Sequence, residues 1–329
     1  MNEVTSSGRP GASVIRVSID GEDAGQRIDN FLMRILKGVP KSHVYRIVRS
    51  GEVRVNGGRV SQTYRLVAGD EVRVPPVRVA TRPSVAVPIG EAFPVVYEDA
   101  ALLIVDKPSG KAVHGGSGVS FGVIEQLRRQ RPEARLLELV HRIDKETSGL
   151  LVIAKKRSAL KALHDMMRNG QVRKQYQALV LGRWRNRLQH IKLPLHRYLT
   201  ADGERRVRVS DEGKASHSVV RLEKQWENVS LVDVELKTGR THQIRVHLSH
   251  LGFPLAGDEK YGDFAVNKQL EGAGLKRMFL HASRLVFTHP LSGETLDVSA
   301  PLPAALADFV AQLDREGGAA GVALERRSK

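Results

Sequence analysis

The chain contains no cysteine among its 329 residues, which excludes disulfide bridges and metal sites built on thiolates. Long apolar runs are missing as well. The longest, such as residues 100–105 and 150–154, fall far short of the roughly 20 residues that a membrane span needs. The opening residues, MNEVTSSGRPGAS, carry no apolar core of a signal peptide. We therefore expect a cytoplasmic protein.

Acidic residues are in short supply: 36 Asp and Glu stand against 52 Lys and Arg, which gives a net charge of +16. An excess of this size is most simply explained by a polyanionic partner, either a nucleic acid or an anionic membrane face. Because no apolar span is present, nucleic acid is the favoured partner. Hydrophobic residues make up 41% of the chain, enough for a sizeable core in two domains of ordinary size.

Changes in composition divide the chain into two domains. Four prolines and no periodic pattern mark residues 75–90, which is typical of an extended linker. In the larger domain, strands at hairpin-like spacing and some helices predict an α+β fold around a largely antiparallel sheet. The expected segments are a disordered leader (1–13), a small domain (14–75), the linker (76–90), a large domain (91–313) and a flexible tail (314–329).

The second predicted helix of the small domain has a basic face. Val44, Ile47 and Val48 form its apolar stripe, Gly51 ends it, and a hairpin follows. Most such runs of charge are simply solvated surface. Because the whole chain is basic, we favour binding to the phosphates of a nucleic acid. The candidate residues are Lys41, His43, Arg46 and Arg49 on the helix and Arg54 on the hairpin.

A glycine-rich loop, HGGSG at 114–118, lies between a predicted strand and a predicted helix, where a phosphate can bind. The loop lacks the lysine of a P-loop and the spacing of a dinucleotide motif. A plain loop and a phosphate site both remain open here. An enzyme acting on a phosphate ligand would also need Mg²⁺ ligands, which the sequence does not offer.

Within THQIRVHLSH, residues 241–250, the stretch HQIRVHL (242–248) alternates apolar and polar residues, which predicts a strand. His242 and His247 would then point to opposite faces, and no carboxylate joins them and His250 in a ligand set. We therefore do not expect a metal site. Arg245 would project from the polar face, where an arginine can hold a carboxylate by two hydrogen bonds.

The segment HRIDKETSGL, residues 141–150, places one carboxylate among cations. Asp144 has two interpretations, of which the simpler is a cap on its own turn. In the other, Arg142 and Lys145 keep Asp144 ionised, although an anion in a basic groove repels phosphates. Such a placement favours chemistry at a sugar or base, where a carboxylate attacks or stabilises an electron-poor carbon. Spacing alone leaves both interpretations open.

Three segments of the chain, in the same order, resemble motifs of the RluA-type pseudouridine synthases. The resemblance extends from about residue 15 to residue 302, and the first domain is similar to the RNA-binding domain named after ribosomal protein S4. It implies an S4-like domain followed by a pseudouridine synthase domain with a mixed, mainly antiparallel sheet. The segments are HRIDKETSGLLVIAKK (141–156), KQYQALV (174–180) and GRTHQIRVH (239–247).

The resemblance implies an enzyme that converts uridine to pseudouridine in RNA without a cofactor or a metal. Asp144 matches the catalytic aspartate, which either attacks the sugar or acts by a glycal route. Arg245 matches the ion-pair partner of that aspartate. Tyr176 matches the tyrosine that packs on the target base and can take the proton from its carbon five. Arg142 matches the arginine that fills the space left by the flipped base.

Large-subunit (23S) ribosomal RNA is the substrate that the resemblance implies, with several uridines near the peptidyl-transferase region and a monomeric enzyme. Departures from the motifs are conservative: Ile143 and Lys145 stand where Leu and Arg are commoner. The alternative function is a ribosome-assembly factor that binds RNA without catalysis. A carboxylate, a tyrosine and an arginine together favour the enzyme, because pure binding needs no carboxylate in a cationic groove.

Overall fold

The computed structural model of the protein describes residues 13–21, 23–36, 38–77, 90–115 and 121–316. Nearly all of the expected leader, most of the expected linker and of the expected tail, and the second half of the HGGSG loop lie outside these ranges. The chain separates into two compact units, residues 1–88 and 89–329. None of the helices in the described ranges is long and apolar enough to cross a membrane.

The first unit consists of two short helices and a small antiparallel sheet. Its elements are β1 (Ile15–Ser18), α1 (Ile28–Ile35), α2 (Lys41–Arg49), β2 (Arg54–Val55) and β3 (Glu71–Val74). The strand order is β1-β3-β2. Gly51 follows α2 with a φ of 77°, and Asn56 and Gly57 form the tight turn that their sequence predicts. The apolar stripe of α2 is buried against α1, so the basic residues of α2 lie on its other side.

The second unit is built on one large sheet with helices packed against it. Its elements are β4 (Val95–Glu98), β5 (Leu102–Lys107), α3 (Val123–Gln130), β6 (Glu138–Leu139), β7 (Ser148–Ala154), α4 (Arg157–Arg168), β8 (Arg173–Leu181), β9 (Leu188–Ile191), β10 (Leu195–Leu199), β11 (Arg205–Val209), β12 (Ser218–Gln225), β13 (Val229–Leu236), α5 (Gln243–His250), α6 (Phe264–Gly272), β14 (Leu280–Thr288), β15 (Thr295–Ser299) and α7 (Ala304–Arg315).

The described strands of this unit form a ten-stranded sheet in the order β4-β5-β7-β14-β8-β13-β12-β9, with β15 beside β14 and β6 beside β7. The pairing of β7 with β14 is parallel, and the other pairings are antiparallel. β10 and β11 form a separate two-stranded ribbon. The predicted α+β fold with a mixed, mainly antiparallel sheet is confirmed.

Continuous apolar runs in β5 and β7 follow from burial on both faces of the sheet. Leu103 and Leu151 face a core that includes α3 and α5, whereas Leu102 and Leu150 face a core that includes α4. Each fully buried side chain of this kind stabilises the fold by about 1.5–3 kcal/mol. The strands therefore hold the residues at their ends firmly, including the loop that carries Asp144.

A glycine permits the parallel contact at the start of β7. Gly149 pairs with Lys107 of β5 on one side and with Ala282 of β14 on the other. Its φ is 109°, and a Cβ atom there would lie 2.3 Å from the carbonyl oxygen of Ala282. Only a residue without a side chain fits, because that distance is far below any van der Waals contact.

Some helix boundaries differ from the prediction. α4 begins at Arg157, directly after β7 and a two-residue connection. α7 continues to Arg315, two residues into the segment expected to be a flexible tail. α6 was not anticipated, although Asp263 caps it by accepting from the backbone N–H groups of Ala265 and Val266.

Candidate active site

Asp144 lies in the loop between β6 and β7, and a buried lysine holds that loop. The ammonium of Lys107 donates hydrogen bonds to the carbonyl oxygens of Pro108 and Lys111, both at 2.8 Å, and of Lys145 at 3.0 Å. Its side chain is fully buried, which lowers the pKa of Lys107, whereas the three carbonyl acceptors favour the charged form. Three carbonyl acceptors match the three N–H donors of the ammonium, so the backbone beside Asp144 is fixed.

A chain of hydrogen bonds fixes the end of the same loop. Arg277 donates to the hydroxyl of Ser148 at 2.9 Å, and that hydroxyl lies 2.9 Å from Nδ1 of His281. His281 Nε2 lies 3.1 Å from the carbonyl oxygen of Ala300 and must donate to it, so Nδ1 accepts from Ser148. Burial lowers the pKa of His281, which keeps the ring neutral.

Arg245 lies on helix α5, so the predicted strand over residues 242–248 is wrong. The alternation of Ile244, Val246 and Leu248 matched a strand, but these residues are buried on more than one side of a helix. Ile244 and Leu248 enter the main core, and Val246 packs against the β10–β11 ribbon. A helix that is buried on several sides loses its amphipathic period, so periodicity cannot distinguish it from a strand.

The guanidinium of Arg245 bridges two carboxylates. Nε and Nη2 donate to the two oxygens of Asp258 at 2.8 and 2.7 Å, and Nη1 donates to Oδ2 of Asp144 at 3.2 Å. The side chain of Arg245 is 8% exposed, that of Asp258 is fully buried, and that of Asp144 is 26% exposed. Arg245 therefore makes its two-pronged contact with Asp258. The sequence had led us to expect that contact with Asp144, which receives a single hydrogen bond.

Asp258 was not recognised from the sequence. It follows α5 in the turn LAGDEKYG, where an acidic residue carries no local signal of a buried partner. Its carboxylate also accepts the backbone N–H groups of Lys260 and Tyr261 at 2.8 and 3.1 Å. Burial favours a higher pKa for Asp258, but the hydrogen bonds from Arg245 outweigh it and the pKa lies below its usual value. Asp258 is thus ionised and fixes the fork of Arg245.

Tyr176 lies on β8, with its side chain on the same side of the sheet as Ala178 and Val180. Only 7% of the residue is exposed. Burial, reinforced by the charge of Asp144, raises the pKa of Tyr176 well above its usual value. The phenol is therefore protonated at neutral pH.

Two clefts meet at the Asp144–Arg245 pair. The first, called the Tyr176 cleft, has a volume of about 700 Å³, and its wall includes Tyr176, Lys174 and Leu280. The second, called the Lys276 cleft, has a volume of about 470 Å³ and is lined mostly by charged side chains. Five residues border both clefts: Arg142, Ile143, Asp144, His242 and Arg245. The arrangement can hold an unstacked base on one side of a carboxylate and anionic groups on the other.

The three histidines around α5 do not come together. His242 contacts the hydroxyl of Tyr261, whereas His247 is buried against the hydroxyls of Ser216 and Ser218. Among the residues that the structure describes, no three His, Cys, Asp or Glu side chains are arranged to share a metal ion.

The candidate phosphate-binding residues of the first unit lie on one side of α2 and on β2. Lys41, Arg46 and Arg49 are exposed, and His43 and Arg54 are partly exposed. His43 and Arg46 contact each other at 3.2 Å. The helix therefore directs several cations to solvent from one face, as expected from its sequence.

Comparison with known proteins agrees with this fold and this site. Residues 101–250 match the family model described as RNA pseudouridylate synthase, and residues 26–72 match the model of the S4 domain. The chain belongs to the RNA pseudouridylate synthase family and carries an S4 domain.

Among its relatives is the Ribosomal large subunit pseudouridine synthase C of Yersinia pestis, which is 54% identical over 87% of this chain and 91% of the relative. The protein of the same name from Escherichia coli (strain K12) is 52% identical over 88% of this chain and 93% of that one. The solved structure of Human RNA Pseudouridylate Synthase Domain Containing 1 covers 70% of this chain and 96% of its own, with 26% identity and a TM-score of 0.56.

Replacement of the bridging arginine tests its place in the core. Arg245→Met leaves Asp258 buried without its partner, so we expect a loss of about 3–5 kcal/mol in the free energy of unfolding at neutral pH. The exposed Arg240, replaced by Met as a control, should change stability by no more than about 0.5 kcal/mol. Urea denaturation of both variants measures these differences.

The pH dependence of the same measurement has a definite sign. In the wild type the pKa of Asp258 is lowered, so its contribution to stability persists until the pH falls through that value. Without Arg245, burial raises the pKa, and the carboxyl can take a proton in mildly acidic solution. The stability gap between wild type and Arg245→Met should therefore narrow as the pH falls. A gap that stays constant or widens would contradict the buried ion pair.

Proposed function

We propose that this chain isomerises uridine to pseudouridine in large-subunit ribosomal RNA. The observation that carries the proposal is the meeting of Asp144, Arg245 and Tyr176 at one cleft. The large-subunit substrate is the one in the printed names of relatives that are 52–54% identical to this chain. The sequence resemblance adds several uridines near the peptidyl-transferase region as the targets.

In the proposed reaction, Asp144 is the residue that acts on the sugar of the target nucleotide. A carboxylate that stays ionised can attack the electron-poor carbon of the ribose or remove a proton in the glycal route. The contact with Arg245 directs Oδ2 of this carboxylate. The geometry of the pair accommodates both routes, because either one requires an anionic oxygen facing the sugar.

Tyr176 is proposed to lie against the target base. The uridine must leave its stack to reach the cleft, at a cost of a few kcal/mol. An aromatic ring offers an unstacked base a surface of comparable size. Because burial keeps its phenol protonated, Tyr176 can accept the proton from carbon five only if its own proton passes to a base in the same cleft, either the Asp144 carboxylate or a water molecule. Arg142, exposed at the mouth of the same cleft, is proposed to fill the space that the flipped base leaves.

The first unit is proposed to bind the RNA backbone through Lys41, His43, Arg46, Arg49 and Arg54. Arginine and lysine side chains that neutralise phosphates release bound counterions, which makes affinity depend on salt. The net charge of +16 favours such binding over the whole chain. We also propose that the protein acts as a monomer in the cytoplasm, without metal or cofactor, since proton transfers and a carboxylate are sufficient for the isomerisation.

A non-catalytic ribosome-assembly factor is the alternative function. An RNA-binding protein without catalysis would gain nothing from the partly exposed Asp144, which repels phosphates. The arrangement of Arg245 and Asp258 behind this carboxylate is therefore better explained by a reaction than by binding.

Asp144→Asn decides between the two functions. The substitution preserves size and should leave RNA affinity intact, but an amide cannot replace the anionic oxygen. We expect the rate of pseudouridine formation to fall by roughly 10⁴–10⁶-fold. The measurement is pseudouridine mapping of ribosomal RNA from a deletion strain that carries either the wild-type gene or the variant. Equal modification in both strains would refute the catalytic role of Asp144.

Tyr176→Phe tests the hydroxyl alone, since the ring remains. If the hydroxyl moves the proton from carbon five, turnover should fall by about 10²–10⁴-fold while RNA affinity is retained. Tyr97→Phe serves as the control, because that hydroxyl binds Asp99 and borders neither cleft. Tritium release from labelled uridine measures turnover. Full activity in Tyr176→Phe would reduce this residue to a stacking surface.

Loss of two cations from α2 tests the basic face. Arg46→Gln combined with Arg49→Gln should weaken RNA binding and make it less sensitive to salt, by about 0.7–0.9 in slope per lost contact. Arg16→Gln is the matched control, because Arg16 is already paired with Glu71 at 2.6 Å in the same unit. Filter binding over a salt series gives both quantities. If the double variant and the control behave alike, this face does not bind phosphates.

A further inference from the structure

His242 precedes helix α5 in the left-handed conformation, with φ at 53° and ψ at 22°. A residue with a side chain rarely adopts these angles, and it keeps them only where surrounding contacts enforce them. In the described ranges, Asn56 is the one other residue of this kind, and it occupies a hairpin turn. The imidazole of His242 is 16% exposed and lies between Tyr261 and Asp144.

Tyr261 determines which nitrogen of the imidazole carries the proton. Its hydroxyl accepts the backbone N–H of Val207 at 3.0 Å and lies 2.7 Å from Nδ1 of His242. Burial raises the pKa of Tyr261 to about 12, so the hydroxyl keeps its proton. Of these two neighbours only Nδ1 can accept that proton, because the amide is a donor. Nδ1 is therefore the acceptor, and the proton of the neutral ring lies on Nε2.

The protonated nitrogen faces the carboxylate of the active site. Nε2 of His242 lies 3.9 Å from Oδ2 of Asp144, the oxygen that Arg245 contacts at 3.2 Å. A hydrogen bond would form if the carboxylate moved by about 1 Å toward the ring. Burial lowers the pKa of His242, and the charges of Arg245 and Lys260 lower it further. The charges of Asp144 and Asp258 act in the opposite direction, but the net shift is downward, so the ring is neutral.

We propose that His242 is a positioning residue for Asp144. In the tautomer set by Tyr261, the neutral ring of His242 supplies an N–H to the carboxylate of Asp144. The catalytic meaning of this inference rests on the proposed function. A neutral donor steadies a reacting oxygen without protonating it, whereas an imidazolium would compete for its charge. Asp258 anchors Arg245 and limits its movement, so a carboxylate that shifts away from Arg245 toward the ring meets the N–H of His242.

The tautomer is tested without reference to activity. Nitrogen–proton correlation spectra of the full-length protein, labelled with ¹⁵N-histidine, should show His242 with its proton on Nε2. The spectrum of His242→Gln identifies the signal by its absence. In Tyr261→Phe the hydroxyl is gone, and we expect a mixture of tautomers. A proton on Nδ1 in the wild type would overturn the proposal.

Single-turnover rates at saturating RNA test the positioning. His242→Ala should lose tenfold or more in rate with unchanged affinity, and His242→Gln, whose amide also presents an N–H, should recover most of the loss. Thermal unfolding of both variants monitors the fold. A wild-type rate in His242→Ala would refute the proposal.

The pH profile separates positioning from a structural role. In Tyr261→Phe, Nδ1 is free to take a proton, so the rate should fall as the pH becomes acidic, in a range where the wild type is constant. The double variant His242→Gln with Tyr261→Phe has no ring to protonate and should lack this acidic decline. A decline that persists in the double variant would count against His242. If the wild type makes no pseudouridine, the proposed function fails, while the spectra still decide the tautomer.

Discussion

A single guanidinium shared by two carboxylates is the interaction on which the active site depends. Arg245 uses two of its donors on the fully buried Asp258 and a third on the partly exposed Asp144. Buried charges are tolerated only when they are paired with good geometry. The turn that carries Asp258 and the helix that carries Arg245 are therefore bound to one relative position, and the direction of the Asp144 carboxylate follows from it.

The loop of Asp144 is also constrained by groups that do not line the Tyr176 cleft. Lys107 is buried beneath the loop and donates only to backbone carbonyl oxygens. Arg277, Ser148 and His281 form a hydrogen-bonded chain at the end of the loop. The carboxylate thus lies between two independently anchored frameworks, and its own freedom is limited to rotation of its side chain.

Much of the fold was predictable because local pattern and burial agree there. β5 and β7 coincide with the continuous apolar runs of the sequence, and the S4-like domain and the synthase domain were predicted from resemblance. Helix α5 was predicted wrongly, because it is buried on several sides and its alternation of residue types imitates a strand. The family and fold assignments are confirmed, while the roles of Asp144, Tyr176 and Arg245 stay predictions.

The supporting residues of the site were beyond prediction for a different reason. Asp144 and Arg245 are 101 positions apart, and Val207 and Tyr261 are 54 apart, so no local pattern relates them. Resemblance to a family could point to the first pair. Asp258, His242 and Tyr261 act through other protein groups, and only the three-dimensional arrangement shows their hydrogen bonds.

Gly149 lies outside both clefts, yet it fixes where the loop of Asp144 joins the sheet. Because glycine has no side chain, β7 can approach the carbonyl oxygen of Ala282 in β14 at this position. The loop that carries Asp144 therefore ends at a fixed position on the sheet. Lys145 and Glu146 lie nearer to Asp144 in the chain, but their side chains pair with each other and border the Lys276 cleft. At Gly149 the constraint is backbone clearance between strands, so sequence distance from the carboxylate is a poor guide to which substitutions the segment tolerates.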